Sequence, residues 1–334
     1  MRSSKWLLCT LALTLNALKA LASDAGVDQE ITAAGPKAEL HGSAYGAFGV
    51  GNPVMLLIPG SGATDRNGNS FAFKPELLRR LAKNLSSSGV STVRIDKRGM
   101  FGSATAVPNA NAVTMKDYAE DILSWINAIR KFSGAKCVWL AGHSEGGLVA
   151  LSAATIDPTN ICGLVLLSTP GRPLANVLRE QLQRNLSAAS LLENALFVTG
   201  ELEDGRTVPS AQIEPALLPL FHPAVQNFII DQMKQKPLEL IRGYDGPIII
   251  VQGAQDRQVT IEDACLLADA KRSAQLIIID DADHQFLPSY KNSDRPGDYD
   301  PASEIANRVT AIAKSRPGTR NATKACHSNK LELK

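Results

Sequence analysis

The segment that most constrains this chain is an apolar run that breaks into a tight turn: Val138-Trp139-Leu140-Ala141, then Gly142-His143-Ser144-Glu145-Gly146. A buried strand that delivers a serine between two glycines has few ways to continue. The serine must sit on a sharp strand-to-helix bend, where side chains two residues before or after it would collide with the crossing backbone. Beyond the turn, Gly147, Ala150, Ala153 and Ala154 let the following helix pack close to the sheet. The five-residue pattern alone is moderate evidence. Between an apolar strand and a small-residue helix, it predicts a mainly parallel α/β sheet with a nucleophile at a strand end.

The surrounding sequence keeps that rhythm from residue 27 onward. Residues 53–58 are a short apolar run stopped by Pro59-Gly60, and 91–95 form a second, ending in Asp96-Lys97-Arg98-Gly99. Between them Leu77, Leu78, Leu81 and Leu85 mark a helix over 75–88. Tyr118, Ile122, Trp125, Ile126 and Ile129 mark another over 114–131. Strands are predicted at 137–141, 163–168, 247–252 and 275–280, each apolar enough to be covered on both faces. Residues 170–242 break the alternation with helix-like pieces around 178–192, 193–202 and 224–233, several prolines and no strand. A helical lid inserted between two sheet strands is the expected meaning, since about seventy residues of broken periodicity make a small core for a separate domain.

The two ends read differently. Arg2 and Lys5 precede an apolar run from Trp6 to Leu18, followed by Ala20-Leu21-Ala22, the three parts of a secretory signal peptide over residues 1–22. The chain is therefore expected to be exported, to the periplasm or beyond. The run is too short for a stable membrane anchor. The formal excess of +2 over the whole chain resides in that segment, so the mature chain is nearly neutral and offers no charge for nucleic acid. The α/β domain is expected over 23–316 and a polar tail over 317–334.

Of five cysteines, Cys9 leaves with the signal segment, and Cys137, Cys162, Cys265 and Cys326 remain. None has C-x-x-C spacing, so neither metal nor redox chemistry is indicated; free thiols and disulfides both remain open. Cys137 and Cys162 stand at the starts of strands expected to be neighbours, which makes them one candidate pair. Cys265 and Cys326 form the other, which would tie down the polar tail.

A serine hydroxyl needs a base. Five histidines are present: His41 precedes the core strands, His222 lies in the lid and His327 in the tail. His143 adjoins the serine, and its side chain is expected to point away. His284 follows the strand at 275–280 and is the candidate base. Asp256, just past the strand at 247–252, is the candidate carboxylate, because residues 168–176 after the preceding strand hold none. Asp281 and Asp283 stand very near His284 along the same loop. Oxyanion donors are expected from the backbone N–H groups of Glu145 and of Ser61, in the turn Pro59-Gly60-Ser61-Gly62. The lid residues Leu196, Phe197, Leu220, Phe221 and Phe228 are candidates to line an acyl pocket, although packing within the lid explains them equally.

The stretches Leu57 to Gly68, Arg94 to Gly99, the serine turn, Val251 to Asp256 and His284 together resemble the lid-bearing bacterial carboxylesterases of the α/β-hydrolase superfamily, the serine aminopeptidase-like group. The resemblance spans roughly residues 29–315. It implies a serine esterase working through an acyl-enzyme, with no metal and no organic cofactor. Hydrolysis of short or medium acyl esters is the activity expected of this chain. Met100-Phe101-Gly102 departs from the relatives, which often run on to Gly-x-Ser. One alternative is an amide, thioester or aminopeptidase activity on the same residues, with Glu193, Glu201, Glu203 and Asp204 as a site for a peptide amino terminus. Another is a silent binding protein on the same fold. Oligomeric state is left open.

Overall fold

The computed structural model describes residues 26–185, 188–289, 299–314 and Cys326. The expected signal segment and the tail apart from Cys326 lie outside the described residues. The chain opens with β1 (Gln29–Ala33), β2 (Leu40–Tyr45) and β3 (Val54–Ile58), then α1 (Leu77–Ser87), β4 (Ser91–Ile95) and α2 (Met115–Ser133). β5 (Val138–His143), α3 (Glu145–Ile156) and β6 (Ile161–Leu167) follow. Five helices come next: α4 (Leu174–Asn185), α5 (Ala189–Glu203), α6 (Leu218–Phe221), α7 (Pro223–Met233) and α8 (Pro237–Arg242). β7 (Ile248–Gly253), α9 (Ile261–Ala270), β8 (Gln275–Ile279) and α10 (Pro301–Lys314) complete the described chain.

The strands form one sheet in the order β1-β2-β4-β3-β5-β6-β7-β8. β2 runs antiparallel to both β1 and β4, and the other pairings are parallel. The sequence reading recognised strands only from β3 onward. β1 and β2 mix polar and small residues and lack the long apolar runs of strands covered on both faces, so they carry a weaker signal.

Strand alternation divides the core in two. Leu56, Ile58, Leu140, Leu164, Leu166 and Ile250 face the layer of α2, α3 and α9. Met55, Leu57, Ala141, Val165, Val251 and Ile277 face α1 and α10. Period-two geometry explains why near-continuous apolar strands are needed here, since both faces are buried. α2 begins in a capping box of Thr114 and Asp117 and ends at Gly134 with φ 71°.

Chain direction across the sheet reverses beside β3: β4 lies on one side of it, and β5 to β8 extend from the other. Ligands of open α/β sheets bind at such a switch point, beyond the carboxyl ends of the strands. Pro59-Gly60-Ser61 leaves β3 there, next to the serine turn that leaves β5.

Both disulfide pairs form, Cys137–Cys162 and Cys265–Cys326, with Cα atoms 5.2 and 5.7 Å apart. Parallel neighbours seldom present two cysteines to one another. A register shift resolves this: Val138 pairs with Ile161 and Trp139 with Gly163, so Cys162 is the extra residue of a bulge, released from the regular pleat. Gly163 is required beside it, because a Cβ there would lie 2.2 Å from the Trp139 ring.

The inserted helices α4 to α8 stand between β6 and β7 and hold an apolar cluster of their own, including Ala195, Val198, Leu202, Val208, Phe221 and Ile230. Two boundaries differ from expectation. The first long helix starts at Leu174 and gives way before Ala189, whereas the sequence suggested one piece over 178–192. Among the described residues, no helix is long and apolar enough to cross a membrane.

Candidate active site

Ser144 joins β5 to α3 with φ 53° and ψ −119°, a conformation costly for a residue with a Cβ. The glycines around it are dictated by contact. A Cβ on Gly142 would lie 2.1 Å from the Gly146 carbonyl oxygen, and one on Gly146 would lie 2.5 Å from that of Ile58. Gly147 meets Thr169 at 1.9 Å in the same way. The turn is wedged between the ends of β3 and β6, and this packing holds the serine in its strained backbone.

His284 lies beyond β8 and Asp256 beyond β7, and both are buried. His284 Nδ1–H donates to Asp256 Oδ2 at 2.7 Å, which leaves Nε2 as the free lone pair. Asp256 accepts three further hydrogen bonds, from Gln252 Nε2 (3.1 Å) and the amides of Gln258 (2.8 Å) and Val259 (2.9 Å). Burial pushes the Asp256 carboxyl up, but these donors and His284 outweigh it and hold it below the ordinary carboxylate value. Asp283, the nearby alternative, instead accepts the amides of Gln285 and Leu287 with its Oδ1 and shapes the loop.

His143 does not point away as expected. Its ring centroid is 4.8 Å from that of His284, and its Nε2–H donates to the His284 carbonyl at 2.8 Å. Burial, together with the adjacent His284, drives its pKa down to about 3, so it remains neutral. A neutral donor is what this position requires, because a second imidazolium would oppose charge on His284.

Two cavities meet at Ser144 and His284. The smaller, about 140 Å³, is mainly polar and lined by Gly60, Ser61, Thr64, Ser70, Phe73 and Gln258 among others. The larger, about 770 Å³, extends under the inserted helices along Leu148, Leu174, Val177, Leu178, Leu220 and Phe228. Ser61, the expected oxyanion donor, borders both; Glu145, at the first position of α3, borders the larger. As the first helical residue, Glu145 has an amide with no intrahelical acceptor.

Three expected pocket residues are corrected. Phe221 is wholly enclosed in the cluster within the insertion, Phe197 is 46% exposed to solvent, and Leu196 is absent from the cavity wall. Helical periodicity identified them as apolar but could not say which face of each helix turns toward the serine. The sequence reading also missed the buried side-chain network beneath the cavity. Lys97 Nζ donates to Glu145 Oε1 (3.1 Å) and to the Gly60 carbonyl (2.7 Å), while Gln232 Nε2 reaches Glu145 Oε2 (3.2 Å). The Asp96-Lys97-Arg98-Gly99 motif marked the place, without indicating that its lysine turns inward.

The sheet order, the strand-end serine and the His–Asp pair define a protein of the α/β-hydrolase fold. The chain belongs to the alpha/beta hydrolase family, whose sequence model matches residues 55–299. It is 24% identical over 265 residues to Esterase EstD from Thermotoga maritima, covering 77% of this chain and 60% of that protein. Among solved structures, Est1E from Butyrivibrio proteoclasticus superposes with a TM-score of 0.53 at 15% identity, over 85% of this chain and 96% of its own. The α/β hydrolase GrgF from Penicillium sp. gives 0.58 at 19%, over 86% and 98%.

Proposed function

We propose that this protein is an exported serine esterase that cleaves short or medium acyl esters. The observation that carries the reading is the 2.7 Å His284–Asp256 hydrogen bond beside a strained Ser144, with Ser144 and His284 sharing two cavities. In this reading Ser144 Oγ attacks the ester carbonyl and its proton passes to His284 Nε2. Asp256 holds the imidazole in the required tautomer and stabilises its charged form. The oxyanion is received by the amides of Ser61 and Glu145. His284 then protonates the departing alcohol, and water, activated by the same imidazole, releases the acid.

The cavity shapes support an ester with one bulky apolar part and one small polar part. Leu220 and Phe228 belong to the apolar wall. Similarity to a protein named an esterase is consistent with this chemistry. The aminopeptidase alternative loses its main support, because Glu201 and Asp204 are paired with Arg206, and Glu203 with Arg179. Two disulfides suit the oxidising compartment that the proposed signal segment implies. A fluorophosphonate probe is expected to label Ser144, and p-nitrophenyl esters to be hydrolysed far faster than an aminoacyl nitroanilide. Failure to label would revive the silent binding protein, and preference for the nitroanilide would revive the peptidase.

A further inference from the structure

The buried ammonium of Lys97 has no part in the proton transfers described above, yet it touches both oxyanion-forming segments. β4 lies beside β3 in the sheet, so the residues after β4 emerge next to the turn that leaves β3. From there Lys97 Nζ donates 2.7 Å to the carbonyl of Gly60 and 3.1 Å to Oε1 of Glu145. The Tyr118 ring lies against it with its centroid 5.3 Å away, and Lys97 also borders the larger cavity. Both charged residues are almost completely buried.

The bond to Gly60 has a geometric consequence. The Gly60 carbonyl and the Ser61 N–H belong to one planar trans peptide, so they point in opposite directions. A cation that holds the carbonyl therefore sets where the Ser61 N–H points and draws electron density away from it. Rotation of that peptide would cost the almost completely buried ammonium one of its two hydrogen bonds. Meanwhile the Glu145 side chain, on the residue that supplies the other N–H, is gripped by the same ammonium and by Gln232 of α7.

We infer that Lys97 is a positioning residue that locks the Ser61 and Glu145 amides in register for the oxyanion, and that it acts on the transition state rather than on substrate binding. The inference rests on the esterase reading. Its test compares the wild type with Lys97→Met/Glu145→Gln. The double variant removes both buried charges together, since Lys97→Met alone would strand a carboxylate; exchanging a whole buried pair for neutral groups is commonly tolerated.

Two ligands separate the roles. A trifluoromethyl ketone forms a bond from Ser144 Oγ to its carbonyl carbon; the carbonyl π pair becomes an oxyanion and the hydroxyl proton passes to His284. The matching methyl carbinol binds without reaction. The double variant is expected to keep its fold by circular dichroism and to hold KM and carbinol affinity within about threefold. Both kcat and ketone affinity are expected to fall about 10²-fold, the scale of losing one oxyanion donor. Unchanged kcat and ketone affinity would overturn the inference. So would an equal loss for the carbinol, which indicates a damaged pocket, or a failure to fold, which makes the pair structural. A wild type that neither labels with fluorophosphonate nor cleaves esters would instead sink the esterase reading, and this inference with it.

Discussion

Asp256, which backs His284, and the inserted helices, which wall the larger cavity, are held in very different ways. Asp256 stands just past a strand end, within four hydrogen bonds, two of them from backbone amides of its own turn. Helices α4 to α7 pack largely on one another around Phe221 and Val198, while Ile241 of α8 joins the main core and Phe228 of α7 packs on Tyr118. Further links to the rest of the protein are polar. Gln232 meets Glu145, Asp231 accepts the Met115 amide at 2.7 Å, and Gln181 donates to the Gln258 carbonyl at 2.8 Å. The sheet side is thus built to hold atoms in place. The insertion contributes a wall, and a wall can be reshaped without disturbing what the strands hold. If so, substitutions below the cavity remove turnover, and substitutions above it alter choice of substrate.

The largest expected effect is at the serine. Ser144→Ala is expected to lower kcat by about 10⁴-fold or more, because the three residues act as a unit. Ester kinetics together with a thermal melt check this; retention of more than a tenth of the activity would assign the nucleophile elsewhere. Asp256→Asn is expected to cost about 10²–10⁴-fold by misdirecting the imidazole tautomer. Asp283→Asn, which alters only loop contacts, is expected to stay within about threefold of wild type. The reverse ranking would move the carboxylate partner into the histidine loop.

Above the cavity the readout changes. Leu178→Trp fills part of the large cavity and is expected to reduce discrimination in favour of longer acyl chains by about tenfold, the scale of a methylene or more in an apolar pocket. Phe197→Ala, on a solvent-exposed side chain, is expected to leave that ratio unchanged. An acyl-chain series measures both, and a response at Phe197 would contradict the observed helix orientation.

The smallest expected effect concerns His143. Its folded pKa of about 3 lies below the ordinary 6.5, so the unfolded chain binds the proton first. Its contribution to stability is complete above 6.5 and is lost as pH falls through the window toward about 3. The steepest slope from this one residue is about 1.4 kcal/mol per pH unit. Urea unfolding across that window is expected to show a shallower slope for His143→Gln than for wild type. Parallel slopes would mean that His143 is not held neutral in the folded state.

Much of this was legible without coordinates. Local rules governed Gly142 to Gly147 and the placement of Asp256 and His284 after strands, because each follows from strand periodicity or from steric demands within a few residues. The pairing of Cys137 with Cys162 needed the bulge at Cys162 as well. The orientation of His143 was misread because it depends on contacts more than a hundred residues away, at the carbonyl of His284. The same holds for the insertion. Its amphipathic helices were recognisable, but their rotation about their own axes is set by packing on one another, which buried Phe221 and turned Phe197 outward. Lys97 is the clearest case: a lysine in a polar motif reads as surface, since burying a charge is costly without a partner. By itself the sequence determined which residue types stand at the strand ends. Only the tertiary structure brought Gly60, Glu145 and Tyr118 around one ammonium, because those partners come from separate segments that meet only when the sheet closes.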